Sequence, residues 1–183
     1  MAGAVVLALV QLGGSSAAVS ATPDQVGQWS PPAAWPLVAV HMSLTPTGKV
    51  LAFDGFDNAL NSERLWDPQT NSFTPVAYGR NLFCSGHVQL ADGRTLILGG
   101  HVAAYDGLFD TTLFNPTTNT WTRAPDMTNK RWYPTATVLG DGRVLVLAGD
   151  NVVQDRPGQP PPFSDASVNS LPEIYNPKTN AWT

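Results

Sequence analysis

The chain is poor in charge, in signals for long helices and in cysteine. Charged residues make up only 13% of it, against about 25% in ordinary soluble domains. The net charge is −4, and no basic run interrupts the sequence. Without such a run there is no electrostatic footprint for nucleic acid. No apolar stretch reaches the ~20 residues that a membrane-spanning helix needs. One cysteine, Cys84, excludes an intramolecular disulfide. In an exported chain such a cysteine reads as a reactive thiol or an intermolecular partner. What is abundant points elsewhere. Gly and Pro each occur 16 times, and apolar residues make up 43% of 183 residues. This is a chain of many turns with enough apolar surface for a core. Six Trp residues point to an aromatic position that recurs.

Residues 1–21 read as an export segment. Ala2 to Val10 is apolar, and Ala17 to Ala21 supplies the small residues that precede a signal-peptidase cut. This places the protein outside the cell or at its surface. No Lys or Arg precedes the apolar run, so Met1 is read as an internal start with the basic residues upstream. The competing reading is a buried N-terminal strand.

Three copies of one unit follow. The first half of each is a hairpin around a glycine turn, with the apolar runs Val50–Phe53, Thr95–Leu98 and Val144–Leu147 after Gly48, Gly93 and Gly142. Asp-Gly between apolar runs is a strong short hairpin signal, because the turn needs positive φ. The runs after the turn are almost continuously apolar, as in strands buried on both faces. The second half repeats Asp67-Pro68, Asn115-Pro116 and Asn176-Pro177, each followed by a Thr-Asn pair and then an aromatic residue within two positions. Asx-Pro starts a type I turn, since the side chain accepts from the backbone and Pro presets φ. Each unit therefore carries four short strands. The stretch Asn151 to Ser170, rich in proline, reads as a surface loop.

The glycine turns recur at 45 and 49 residues. Four strands at that period, with a glycine pair and a late aromatic, make the pattern of a kelch-type propeller blade. The expected fold is all-β: residues 22–183 form about three four-stranded blades of a larger, seven-bladed propeller. The blades fall at about 36–80, 81–130 and 131–183. Because propellers close with 4–8 blades, the chain is expected to be the N-terminal piece of a longer protein or a truncated reading frame, poorly soluble alone.

Cys84 and Tyr133 each lie nine residues before the turn glycine of their own repeat. Equivalent positions in neighbouring repeats tend to be spatial neighbours. Taken alone, a single Cys is a small core residue and a Tyr on an inner strand packs. The flanking motifs add to this. Asn81-Leu82-Phe83-Cys84-Ser85-Gly86-His87 and Arg131-Trp132-Tyr133-Pro134 resemble the inner-strand motifs of the copper-radical oxidases, the galactose oxidase and glyoxal oxidase relatives. Arg-Trp-Tyr is nearer the glyoxal oxidase side, as is the opening Gly27-Gln28-Trp29-Ser30 with Trp35-Pro36-Leu37-Val38. The resemblance covers about residues 27–183.

The resemblance implies that Cys84 is joined to Tyr133 by a thioether, and that Tyr133 binds copper and carries a radical. It implies a protein that oxidises small aldehydes or primary alcohols with O2 and releases H2O2. The remaining copper ligands, a second tyrosine and two histidines, would come from later blades and a C-terminal domain that this chain does not contain. His41, His87 and His101 are not read as substitutes; His87 and His101, in the second blade's strand and glycine-pair motifs, are read as hydrogen-bonded blade residues. Galactose oxidase covers its thioether with a tryptophan. Asp150-Asn151 stand at that place here, and Trp132 is not an evident replacement. The alternatives are a non-catalytic kelch module binding a glycan or protein at the cell surface, or an inactive truncated gene product.

Overall fold

In a computed structural model the described residues are 21–53, 61–150 and 168–183. The export segment up to Ser20, the Asp54-Gly55 stretch of the first repeat and Asn151 to Arg156 onwards through residue 167 lie outside them. Two compact units divide the chain, Met1–Ala34 and Trp35–Thr183. The first contains one helical turn, α1 (Pro23–Val26). Among the described residues no helix is long and apolar enough to cross a membrane.

The second unit is built of strands in three four-stranded antiparallel sheets. The first comprises β1 (His41–Leu44), β2 (Val50–Phe53), β3 (Arg64–Asp67) and β4 (Ser72–Pro75), in that order. The second comprises β5 (Ser85–Gln89), β6 (Thr95–Gly99), β9 (Thr111–Asn115) and β10 (Thr120–Arg123). Between β6 and β9 a small two-stranded ribbon is inserted, β7 (His101–Ala103) and β8 (Asp106–Gly107). The third comprises β11 (Thr135–Val138), β12 (Val144–Leu147), β13 (Glu173–Asn176) and β14 (Ala181–Trp182). This is the all-β, kelch-type blade architecture expected from the repeat.

The turns follow the residues that demand them. Gly48, Gly93 and Gly142 sit at φ 78°, 87° and 87°, the left-handed region where a Cβ is costly. Each donates its N–H back three residues, to Thr45, Leu90 and Leu139. In the second half of every unit the Asx carboxyl or amide oxygen accepts from the backbone two residues on. The pairs are Asp67 with Gln69 at 2.9 Å, Asn115 with Thr117 at 2.9 Å, and Asn176 with Lys178 at 3.0 Å. Asn71, Asn119 and Asn180 then take φ 53°, 56° and 52°, which Asn tolerates better than most residues.

Two cores lie between successive sheets. Leu51, Phe53, Leu65, Ile97 and Phe114 fill the first. Leu96, Leu98, Leu113, Val144, Val146 and Tyr175 fill the second. Strand β6 feeds both: Ile97 points into one, and Leu96 and Leu98 into the other. Alternation of side chains on a strand requires this, and it explains why the run is apolar throughout. Each buried Leu or Ile contributes about 1.5–3 kcal/mol. The third run differs from expectation. Val144 and Val146 are buried, but Leu147 is 41% exposed, because only one face of β12 packs against a described sheet.

The recurrent aromatic has a joining role. Trp121 on β10 donates its indole N–H to the Val76 carbonyl, 2.6 Å away, just beyond the first sheet. Trp182 on β14 repeats the bond to the Pro125 carbonyl at 2.9 Å, just beyond the second. The last strands of the second and third sheets are thus each tied to the exit of the preceding sheet.

Candidate redox site

Cys84 immediately precedes β5, the first strand of the second sheet, and Tyr133 lies two residues before β11, the first strand of the third. Both are in the left-handed region, at φ 58° and 59°. That conformation is uncommon for residues with a Cβ and costs of order 1–3 kcal/mol where it persists. The repeat therefore reproduces one strained kink in both sheets. The kinks interlock, since the Tyr133 N–H donates to the Cys84 carbonyl at 2.6 Å.

The two side chains also lie close enough that each influences the other's titration. Cys84 is fully buried, whereas Tyr133 is 48% exposed. Burial pushes the Cys84 thiol up to about 12, opposed in part by its bond with Tyr133. Desolvation of the Tyr133 hydroxyl, with the neighbouring Cys84, pushes the phenol to about 12 as well. Both groups are therefore protonated at neutral pH unless a cation displaces the phenol proton.

The segment carrying Tyr133 is clamped. Arg131 is fully buried. Its guanidinium donates to the Ala148 carbonyl at 2.6 Å, the Leu171 carbonyl at 2.7 Å and the Glu173 carboxylate at 2.8 Å. The Arg131 backbone is flanked by glycines. A Cβ built on Gly99 or Gly107 would come within 2.3 Å or 2.1 Å of Arg131 backbone atoms, closer than any real contact. Trp132 exchanges both backbone hydrogen bonds with Asp150, at 2.9 Å and 2.8 Å. Asp150, noted in the sequence beside Asn151, is thus occupied in pairing; Asn151 lies outside the described residues.

Around Tyr133 stand aromatic rings. Trp132 meets it edge-on with centroids 4.6 Å apart, and Phe83 does so at 5.8 Å. Tyr105, on the β7–β8 turn, lies 4.9 Å from Trp132. His101 closes the ring of contacts: its Nδ1 accepts the Trp132 indole N–H at 2.9 Å and lies 3.7 Å from the Cys84 sulfur. Indole can only donate, so Nδ1 is the unprotonated nitrogen and the ring proton sits on Nε2. Asn81, Phe83, His101, Val102, Trp132 and Tyr133 line a groove of about 660 Å³. None of them carries a fixed charge.

Reasoning from sequence brings out Cys84 and Tyr133 as site residues; it reads His101 as a hydrogen-bonded blade residue, meets Phe83 and Arg131 only within motifs, and leaves out Glu173. The one signal for His101 is its place directly after the Gly99-Gly100 pair. His41 and His87 lie elsewhere on the first strands. His41 stacks on Phe53 at 4.9 Å and meets His87 edge-on at 5.6 Å. Burial, with the adjacent His87, lowers His41 to about 4, and burial lowers His87. Among the described residues no three His, Cys, Asp or Glu side chains come together as a metal would need. Tyr133 is half exposed, and its phenol is an oxygen donor that a metal ion could take.

Comparison with known proteins agrees with the kelch-type fold. The kelch motif model matches residues 87–128. Two galactose oxidases of Gibberella zeae are each 25% identical over 170 residues, covering 86% of this chain. The chain spans 22% of the length of those relatives. Among solved structures, a fungal alcohol oxidase of the AA5 family in complex with copper superposes with a TM-score of 0.64. It is 24% identical and the match covers 87% of this chain and 32% of that one, which speaks for the shared fold.

Proposed function

We propose that this chain, a kelch-repeat relative of the copper-radical oxidases, supplies the Cys84–Tyr133 half of a copper-radical oxidase site. The observation that carries the reading is the interlocking of Cys84 and Tyr133, both left-handed and joined by a backbone hydrogen bond at the entries of neighbouring sheets. Tyr133 would hold a copper ion, which would supply one of the two electron acceptors that oxidation of an alcohol or aldehyde needs. The chain's own contribution is the other electron acceptor. Tyr133 offers a phenol oxygen at the edge of the groove, where both a metal ion and a small substrate can reach it. Cys84, held against it, forms a thioether to the ring carbon beside the hydroxyl. That step removes two hydrogens, the thiol proton and one ring hydrogen, with two electrons passing to O2, which leaves as H2O2. The sulfur substituent makes the phenol easier to oxidise.

The remaining ligands implied by the resemblance are a second tyrosine and two histidines, from segments that the match does not cover. The substrates are small aldehydes or primary alcohols, with O2 reduced to H2O2, and an uncharged groove suits neutral molecules of this kind. Export rests on the residues up to Ala21.

The intact protein should release peroxide in a copper-dependent manner, and Tyr133→Phe should abolish it. Full activity in that variant sinks the proposal. Copper treatment in air should lower the mass by two hydrogens and protect Cys84 from alkylation. A Cys84 that stays fully alkylatable after unfolding favours a non-catalytic kelch module that binds a glycan or protein.

A further inference from the structure

Tyr133 touches two rings among the described aromatic residues, and they are not equivalent. Phe83 has no ionisable proton and is hard to oxidise. Trp132 is readily oxidised, lies closer at 4.6 Å, and has a proton acceptor in place, since its N–H already points at the unprotonated Nδ1 of His101, 2.9 Å away. Oxidation of an indole makes its N–H strongly acidic, so a neutral imidazole in direct contact lowers the cost of the step. Beyond Trp132 stands Tyr105, centroid 4.9 Å away, on the turn between β7 and β8, where it is half-buried. The three rings form an unbroken line of oxidisable groups leading away from Cys84 and Tyr133.

We propose that Tyr133, Trp132 and Tyr105, with His101 as proton acceptor, form a relay that carries an oxidising equivalent away from Cys84 and Tyr133 to Tyr105. The relay rests on the reading of Tyr133 as a redox centre. In the first step an oxidised, neutral Tyr133 takes one electron from Trp132 and one proton from solvent, and becomes the phenol again. Trp132 passes its indole proton to His101 Nδ1. In the second step Tyr105 gives one electron to Trp132 and its hydroxyl proton to solvent, and His101 returns its proton to the indole. The net change is one electron moved from Tyr105 to Tyr133, one proton released at Tyr105 and one taken up at Tyr133. The oxidant that starts the sequence is whatever one-electron oxidant generates the Tyr133 radical. The relay would drain a site left oxidised without substrate, and spare the buried Cys84 from damage.

The test uses photogenerated tris(bipyridine)ruthenium(III) as the oxidant on the full chain. Transient absorption and freeze-quench EPR follow the radicals, and Tyr133→Phe supplies the baseline for Tyr133. In Trp132→Phe the Tyr133 radical should live longer by on the order of tenfold, equivalent to about 1.4 kcal/mol of barrier. Tyr105→Phe, which keeps the ring and removes only the hydroxyl, should leave the first step and let the indole radical accumulate. Equal Tyr133 lifetimes in the unaltered chain, Trp132→Phe and Tyr105→Phe overturn the relay and leave the redox role of Tyr133 standing. A chain whose radical signals match those of Tyr133→Phe overturns the redox role, and the relay with it.

Discussion

Replacing Glu173 measures how much the clamp behind Tyr133 stabilises the third sheet. The carboxylate accepts from the Arg131 guanidinium at 2.8 Å and from the Thr128 N–H at 2.7 Å. The pair is dry: the Arg131 side chain has no exposure and that of Glu173 only 8%. Glu173→Ala leaves the guanidinium with two carbonyl partners and no counter-charge. Breaking a buried pair from one side costs about 3–5 kcal/mol. Glu173→Gln keeps the volume and one acceptor oxygen, so its cost is the charged part of the hydrogen bonds, about 1.5–3 kcal/mol. Urea melts followed by tryptophan fluorescence would separate the two variants at pH 7. Burial raises the Glu173 carboxyl, but the bonds from Thr128 and Arg131 outweigh it and the net shift is downward. A carboxyl lowered in the folded state stabilises above its unfolded value, about 4.3, and loses that stabilisation as pH falls through the folded value. The unaltered chain should therefore lose stability below about pH 4.3 more steeply than Glu173→Gln. A Glu173→Ala variant within about 0.5 kcal/mol of the unaltered chain, with the same acid dependence, refutes the role given to the pair.

Two further outcomes follow from the site's geometry. Gly107→Ala forces a Cβ to 2.1 Å from the Arg131 carbonyl carbon and should cost about 1–3 kcal/mol or more. Gly140→Ala, with nothing within 4 Å, should stay within about 0.5 kcal/mol, and equal urea midpoints for the two variants would refute the close-approach account. The Cys84 thiol, pushed up to about 12 by burial, should react with iodoacetamide at pH 8 about a thousandfold more slowly than in the urea-unfolded chain, where it titrates near 8.5. Similar rates in the two states would contradict its burial.

The sheets were legible in the sequence because their determinants are local. A glycine at positive φ, an Asx oxygen two residues from a free N–H and a period-two apolar run act within a few positions, and three copies of each made the reading redundant. Strand β12 departs from its copies, exposing Leu147, because burial depends on a neighbouring sheet and not on the strand's own residues. The first repeat's Asp54-Gly55 and the loop from Asn151 lie outside the described residues.

By itself the sequence determined the repeat phase, and with it that Cys84 and Tyr133 occupy equivalent places, since each is set by its distance from a turn glycine. Only the tertiary structure decided their company. His101 reaches Cys84 and Trp132 from a ribbon inserted between β6 and β9, and Glu173 meets Arg131 from 42 residues away. Trp132, no evident cover when read as a neighbour in sequence, turns edge-on to Tyr133 because its backbone pairs with Asp150 and its indole is held by His101. The physical reason is one of range. Turn and strand formation are decided by bonds within a few residues, whereas the polarity and contacts of a site depend on which distant segments pack there.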